Sequence, residues 1–158
     1  MRIGVVSDSH GGLYMLDKAI VAMGDIDLLI HLGDHYQDAV KVNTKYKHTL
    51  IYVAGNNDFI NDENAEKLIE FDGKRIFLTH GHRYNVNYGL MQLEFKAQEE
   101  KADIVLFGHT HRYFVDNDRG IFYLNPGSVA RPRDKNSSAA TLFINEKGEV
   151  SVKKLIVE

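Results

Sequence analysis

Cysteine is absent from the 158 residues, which excludes disulfides, thiolate nucleophiles and thiolate-held zinc. Any metal must therefore be held by His, Asp, Glu, Asn or water. No apolar run approaches the roughly 20 residues that a membrane span requires, so no membrane partner is expected. Only two prolines occur, and no Pro/Gly/Ser-rich linker, internal repeat or low-complexity tract interrupts the chain. A single domain over residues 1–158 is expected, a length that suits one ordinary core. The opening Met1-Arg2-Ile3-Gly4-Val5-Val6-Ser7-Asp8 reaches an acidic residue too early for a secretory leader, reads as a first strand and points to the cytoplasm. A net charge of −3 lacks the basic excess of a broad nucleic-acid surface, so no stable nucleic-acid partner is expected. A small phosphate-bearing ligand stays open.

What is present alternates between apolar runs and amphipathic stretches. Ile3–Ser7 is a continuous apolar run of the kind buried on both faces. Gly11-Gly12 breaks it and opens a helix through about Met23, with Leu13, Leu16, Ile20 and Met23 at helical spacing. Asp27–His31 and Thr49–Ala54 read as further strands, and Leu68–Phe71 with Arg75–Thr79 as a hairpin across Asp72-Gly73. A helix is predicted over Tyr88–Lys101 and a strand over Ile104–Phe107. From Tyr113 to Val157 the pattern is short strands around turns at Asp118-Arg119-Gly120, Asn125-Pro126-Gly127 and Lys147-Gly148. The first half favours right-handed crossovers and parallel pairing, the second half hairpins. The expected class is a mixed α/β domain with more than one sheet.

The informative feature is positional. Five apolar strands each end in a short polar cluster: Asp8-Ser9-His10, Gly33-Asp34-His35, Gly55-Asn56-Asn57-Asp58, His80-Gly81-His82 and Gly108-His109-Thr110-His111. Ligand sites of α/β sheets lie at the carboxyl ends of strands, so the five clusters can meet in one place. In extended backbone, residues i and i+2 project to the same side. Asp8 with His10, His80 with His82, and His109 with His111 would then each send two polar groups one way. Five of the eight histidines fall in these pairs. Imidazole and carboxylate without thiolate suit Mn²⁺, Fe²⁺, Ni²⁺ or Zn²⁺. Each cluster alone has an ordinary explanation: a helix N-cap for Asp8, a turn residue for Asp34, turn formers for Asn56 and Asn57. Jointly they require ionisable residues at one strand end after another, and a metal centre explains that at once.

The same five blocks, in this order, resemble those of the calcineurin-like metallophosphoesterases. Gly108-His109-Thr110-His111 followed by Asn125-Pro126-Gly127-Ser128 is similar to the small bacterial and archaeal phosphodiesterase branch. The resemblance spans Asp8 to about Arg133 and implies a two-sheet sandwich with helices on both outer faces. It implies that Asp8, His10 and His111 hold one divalent ion, that Asn56, His80 and His109 hold a second, and that Asp34 bridges them. Mn²⁺ is the first expectation, with Ni²⁺, Fe²⁺ or Zn²⁺ as alternatives. The implied reaction is two-metal hydrolysis of a phosphate ester, most simply a diester, by a hydroxide that bridges the ions.

One departure concerns the leaving group. Larger phosphatases of the superfamily carry His where this chain has Asn57, which holds no titratable proton. The other candidates take lesser roles. Asp58 either orients a ligand such as His10 or caps a turn, and His82 either faces the cleft and touches substrate or is a structural hydrogen-bonding group. Arg131 and Arg133, after Asn125-Pro126-Gly127-Ser128, either reach the phosphate or are solvated surface arginines. His31 and His35 read as local hydrogen-bonding groups. Two rival functions remain. One is a phosphomonoesterase or nucleotide hydrolase of the same fold. The other is a protein-binding scaffold resembling the retromer subunit, in which the metal site is compromised. Tyr84, Tyr88 and Phe95 are core or interface candidates, and a homodimer or larger assembly is expected.

Overall fold

The computed structural model describes residues 1–158. Its first sheet is built from β1 (Arg2–Val6), β2 (Leu28–His31) and β3 (Leu50–Tyr52), which pair in parallel as β1-β2-β3. The hairpin β9 (Ser138–Ile144) and β10 (Val150–Ile156) joins antiparallel on the free side of β1, giving the order β10-β9-β1-β2-β3. The second sheet contains β4 (Glu66–Phe71), β5 (Lys74–Thr79), β6 (Ile104–Leu106), β7 (Tyr113–Asp118) and β8 (Ile121–Pro126). Its order is β4-β5-β6-β8-β7, with parallel pairing only in the centre.

The alternation of side chains across a strand decides which layer each residue enters. Ile3 and Val5 of β1, Leu28 and Ile30 of β2, Ile76 and Leu78 of β5, and Ile104 and Leu106 of β6 share one core, which lies between the sheets. Val6 and Leu29 point the other way, against Leu16, Ala19, Ile20 and Met23 of α1 (Leu13–Met23). Ala39 of α2 (Tyr36–Tyr46) belongs to the same outer layer. Phe77, Val105 and Tyr123 face outward from the second sheet onto Leu93 and Ala97 of α3 (Met91–Glu99). The result is the expected two-sheet sandwich with helices on both outer faces. Gly4 leaves room for the helix side chains: a Cβ there would lie 2.5 Å from the sulfur of Met23, which would have to shift.

Two elements differ from the sequence expectation. Helix α2 was not foreseen between Asp34 and Thr49, because Tyr36–Tyr46 offers almost no apolar stripe. Its only buried residues are Asp38 and Ala39. The predicted helix over Tyr88–Lys101 is shorter, Met91–Glu99. It is preceded by single 3₁₀ turns at His82–Tyr84 and Val86–Tyr88 and broken from them by Gly89 at φ 133°. No helix is long and apolar enough to cross a membrane.

Candidate metal centre

The five polar clusters leave β1, β2, β3, β5 and β6 and converge at one end of the sandwich. Six of the expected residues come within touching distance there. Asp8 Oδ1 lies 3.2 Å from His111 Nε2, 3.7 Å from His80 Nε2 and 3.9 Å from His10 Nε2. Asp34 stands between two of these imidazoles, with Oδ2 3.4 Å from His10 Nε2 and Oδ1 3.4 Å from His80 Nε2. His109 Nδ1 faces His80 Nε2 at 3.3 Å, and His10 Nε2 faces His111 Nε2 at 3.3 Å. Ligand atoms of Asp8, His10, Asp34 and His111 all fall within 4.8 Å of one another. Asn56 lines the same cleft beside His10, Asp34, His109 and His111, as do Arg131 and Arg133. The arginine side chains are exposed and border the cleft.

Convergence is not achieved by extended i/i+2 geometry as expected. Asp8, His10, Asp34, His109 and His111 all have positive φ, from 44° to 69°. Side chains other than glycine rarely take this conformation, and it concentrates where surrounding structure enforces it for function. The loops turn sharply, and the turns aim the side chains. Gly55 allows the closest approach, since a Cβ there would run into Asp34.

Backbone carbonyls choose which imidazole nitrogen faces the cluster. His80 Nδ1–H donates to Leu32 O at 2.7 Å and His111 Nδ1–H to Arg131 O at 2.6 Å, which leaves each Nε2 pointing inward with a lone pair. Asp8 is fixed in the same way. Its Oδ2 accepts Ser7 Oγ–H at 2.7 Å and the His109 backbone N–H at 3.1 Å, while Oδ1 is buried and accepts no hydrogen bond. A buried carboxylate oxygen without a partner is costly. Directed at three imidazole nitrogens, it fits a cation, and the thiolate-free donor set suits a divalent one.

The titration behaviour agrees. Burial raises the Asp8 carboxyl, but His111, His80 and Ser7 outweigh it and hold Asp8 below its usual range. Asp34 is likewise held low, burial being overcome by His80 and Asn57. Both therefore remain anionic at neutral pH. Burial lowers His10 and His109. It also acts to lower His80 and His111, yet Asp34 and Asp8 raise them. His82 is pushed down to about 4 by burial and by His80 and His109. Its ring lies 5.5 Å from that of His80 and 6.1 Å from that of His109, with Nδ1 buried and unpartnered.

Of its two expected places Asp58 takes the one on the backbone, not the one beside His10. Its Oδ1 accepts the His35 N–H at 2.8 Å and its Oδ2 the Gly55 N–H at 2.9 Å, so both oxygens are engaged by backbone. It ties the Asp34 loop to the Asn56 loop. His31, read as merely local, is the centre of a buried chain. Gly33 N–H donates to His31 Nδ1 at 3.1 Å, so the ring proton is on Nε2 and is given to Ser9 Oγ at 2.8 Å. Ser9 Oγ–H then donates to Asp38 Oδ2 at 2.8 Å, which also accepts Gly11 N–H at 2.8 Å. This chain locks the loops flanking Asp8 and Asp34 to α2. Asn125 and Ser128 serve the other side. Asn125 Nδ2 donates to Gly108 O and Thr110 Oγ1 at 2.9 Å each, and Ser128 Oγ–H to Asp8 O at 2.7 Å. The signal for His31 and Ser9 was a polar residue ending or following a fully apolar run.

A model of the calcineurin-like phosphoesterase superfamily domain matches residues 1–147. A probable metallophosphoesterase of Bacillus subtilis is 31% identical, over 97% of this chain and 89% of that protein. A phosphodiesterase of Methanocaldococcus jannaschii is also 31% identical, over 80% and 83% respectively. Among solved structures, a Vps29 variant from Entamoeba histolytica superposes with a TM-score of 0.76 at 20% identity, each chain covered in full. That last likeness carries the fold alone.

Proposed function

The chain belongs to the calcineurin-like phosphoesterase superfamily and is a metal-dependent phosphoesterase, and we propose on that basis that it is a dinuclear phosphodiesterase acting on small phosphate esters. The observation that carries the reading is the unpartnered, buried Asp8 Oδ1 facing His10, His80 and His111 across 3.2–3.9 Å. In this assignment Asp8, His10 and His111 would hold one cation, Asn56, His80 and His109 the other, and the Asp34 carboxylate would be shared between them. Mn²⁺ is the first expectation for both, with Ni²⁺, Fe²⁺ or Zn²⁺ as alternatives. Two divalent cations supply charge that ionises water near neutrality and polarises a phosphoryl group.

The chain's own residues do the rest. Arg131 and Arg133 border the cleft and bind the non-bridging phosphate oxygens. His82, neutral at physiological pH, contacts a phosphoryl or ester oxygen from the side of His80 and His109. Asp58 acts as a positioning residue, through the backbone of His35 and Gly55. Asn56 binds through a neutral amide oxygen, which keeps the centre cationic enough to attract an anionic ester. Residues 1–158 work as one domain in a cytoplasmic setting. Exposed Tyr88 and Phe95, 92% and 64% accessible, are the surface through which a homodimer or larger assembly would form, whereas Tyr84 packs with the core layer under α3.

The test compares nitrophenol release from a bis-aryl phosphate diester and from the aryl monoester, with Mn²⁺ or Ni²⁺ added. Faster diester turnover supports the proposal, and monoester preference favours a phosphatase. No hydrolysis with any metal favours the scaffold reading suggested by the fold shared with Vps29.

A further inference from the structure

Beside the metal cleft lies a second and larger hollow of about 470 Å³, against about 350 Å³ for the cleft. The two differ in kind. No hydrophobic side chain lines the cleft, whereas the hollow is walled by Val86, Leu90, Phe107, Tyr113 and Phe114. They are joined at Arg133, which borders both, and Thr110, between His109 and His111, lines the hollow. Where the cleft adjoins Asn57 the surface is polar, with Phe59 the one hydrophobic wall beside His35 and Asp58. A phosphate seated at the metal centre thus has a polar neighbour on one side and an aromatic one on the other.

We propose that the hollow is the subsite for one organic arm of the substrate, and that this arm is a planar aromatic group. The inference rests on the phosphoesterase reading above and names the substrate class within it. Two aromatic rings meet there, those of Phe107 and Phe114, with centroids 6.1 Å apart. The accessible ring of Phe114, backed by the buried Phe107, covers a planar group better than a flexible chain, which loses rotamer freedom on binding. Arg133 holds the phosphate side of the junction, and Arg112 borders the hollow with a second guanidinium able to stack on an aromatic face. No carboxylate lines the hollow, so an anionic ester enters without repulsion. The volume matches one or two fused rings, within the usual size of a small-molecule site.

The test measures binding of methyl-, cyclohexyl- and phenylphosphonate to the manganese-loaded full chain by calorimetry. Phenylphosphonate is expected to bind roughly tenfold more tightly than the methyl compound, with the cyclohexyl compound behind it. That advantage is expected to vanish in Phe114→Ala and to shrink in Leu90→Ala. Phe114 is 37% exposed, so its truncation opens no sealed cavity. Equal affinity of all three phosphonates overturns the subsite, as does an advantage that survives Phe114→Ala. Cyclohexyl binding as tight as phenyl overturns the aromatic assignment. Hydrolysis of a bis-aryl diester is measured on the same preparation. Turnover without a phenyl preference defeats the subsite alone, and absence of turnover with any metal defeats the phosphoesterase reading itself.

Discussion

Asn57 holds Asp34 by both carboxylate oxygens: its backbone N–H reaches Oδ1 at 3.0 Å and its side-chain amide reaches Oδ2 at 2.7 Å. The residue that lacks a titratable proton is thus engaged with the proposed bridging carboxylate. Fixed orientation of a ligand is worth roughly 10–100-fold in metal affinity. Asn57→Ala, which keeps the backbone bond and removes the amide, is expected to weaken Mn²⁺ binding by the lower part of that range. Calorimetric titration of the metal-free protein reads it. Unchanged affinity would show that the bond is incidental.

Gly55→Ala attacks the same carboxylate from the opposite side. The added Cβ would lie 2.5 Å from the Asp34 backbone N, which cannot yield, and closer still to Oδ1, which the carboxylate would have to move away. Overpacking of this kind costs about 1–3 kcal/mol. The expected outcome is a folded protein with lowered melting temperature that retains little manganese after gel filtration. Full metal content by elemental analysis would refute the claim that Asp34 needs this close backbone approach.

Much of this centre was legible in the sequence, because apolar strands followed by Asp, Asn and His mark one edge of an α/β sheet whatever the pairing. The sandwich with two helical faces was likewise legible, through the resemblance carried by the ordered blocks. What escaped is what depends on backbone turns. Positive φ at Asp8, His10, Asp34, His109 and His111 replaces the extended geometry that spacing suggested. For Asp58 spacing left two readings open, a side-chain partner or a turn cap, and it meets two backbone N–H groups. Helix α2 escaped because its inward face is Asp38 and Ala39, and a buried aspartate reads as polar until Ser9 and Gly11 are seen to donate to it.

The absence of an acid at position 57 has a kinetic consequence. Asn57 carries no proton to give, and burial keeps His10, His109 and His82 below their ordinary pKa. Poor leaving groups then depart without assistance. A positioned acid contributes roughly 10²–10⁴-fold, so alkyl diesters are expected to turn over on the order of 10²-fold or more below nitrophenyl diesters. A series of leaving groups of rising pKa, assayed at saturating Mn²⁺, gives the dependence directly. A flat series would mean that a proton donor has been overlooked.

The buried His31 chain makes stability depend on pH in a defined direction. Burial lowers the His31 pKa from 6.5 to about 4, only partly countered by Asp8, Asp58 and Asp38. Between those values the unfolded chain binds a proton that the folded chain refuses, so unfolding free energy rises with pH. The contribution is fully present above pH 6.5 and is lost as pH falls toward 4. A difference of about 2.5 units corresponds to roughly 3 kcal/mol. His31→Gln keeps a neutral polar group that cannot titrate, so its stability should fall less steeply with acid. Urea unfolding of metal-free wild type and variant at pH 7, 6 and 5 isolates the difference, since His82, also depressed to about 4, titrates in both. Parallel stability curves would mean that His31 is protonated in the folded state, and the Gly33 N–H could not then donate to its Nδ1.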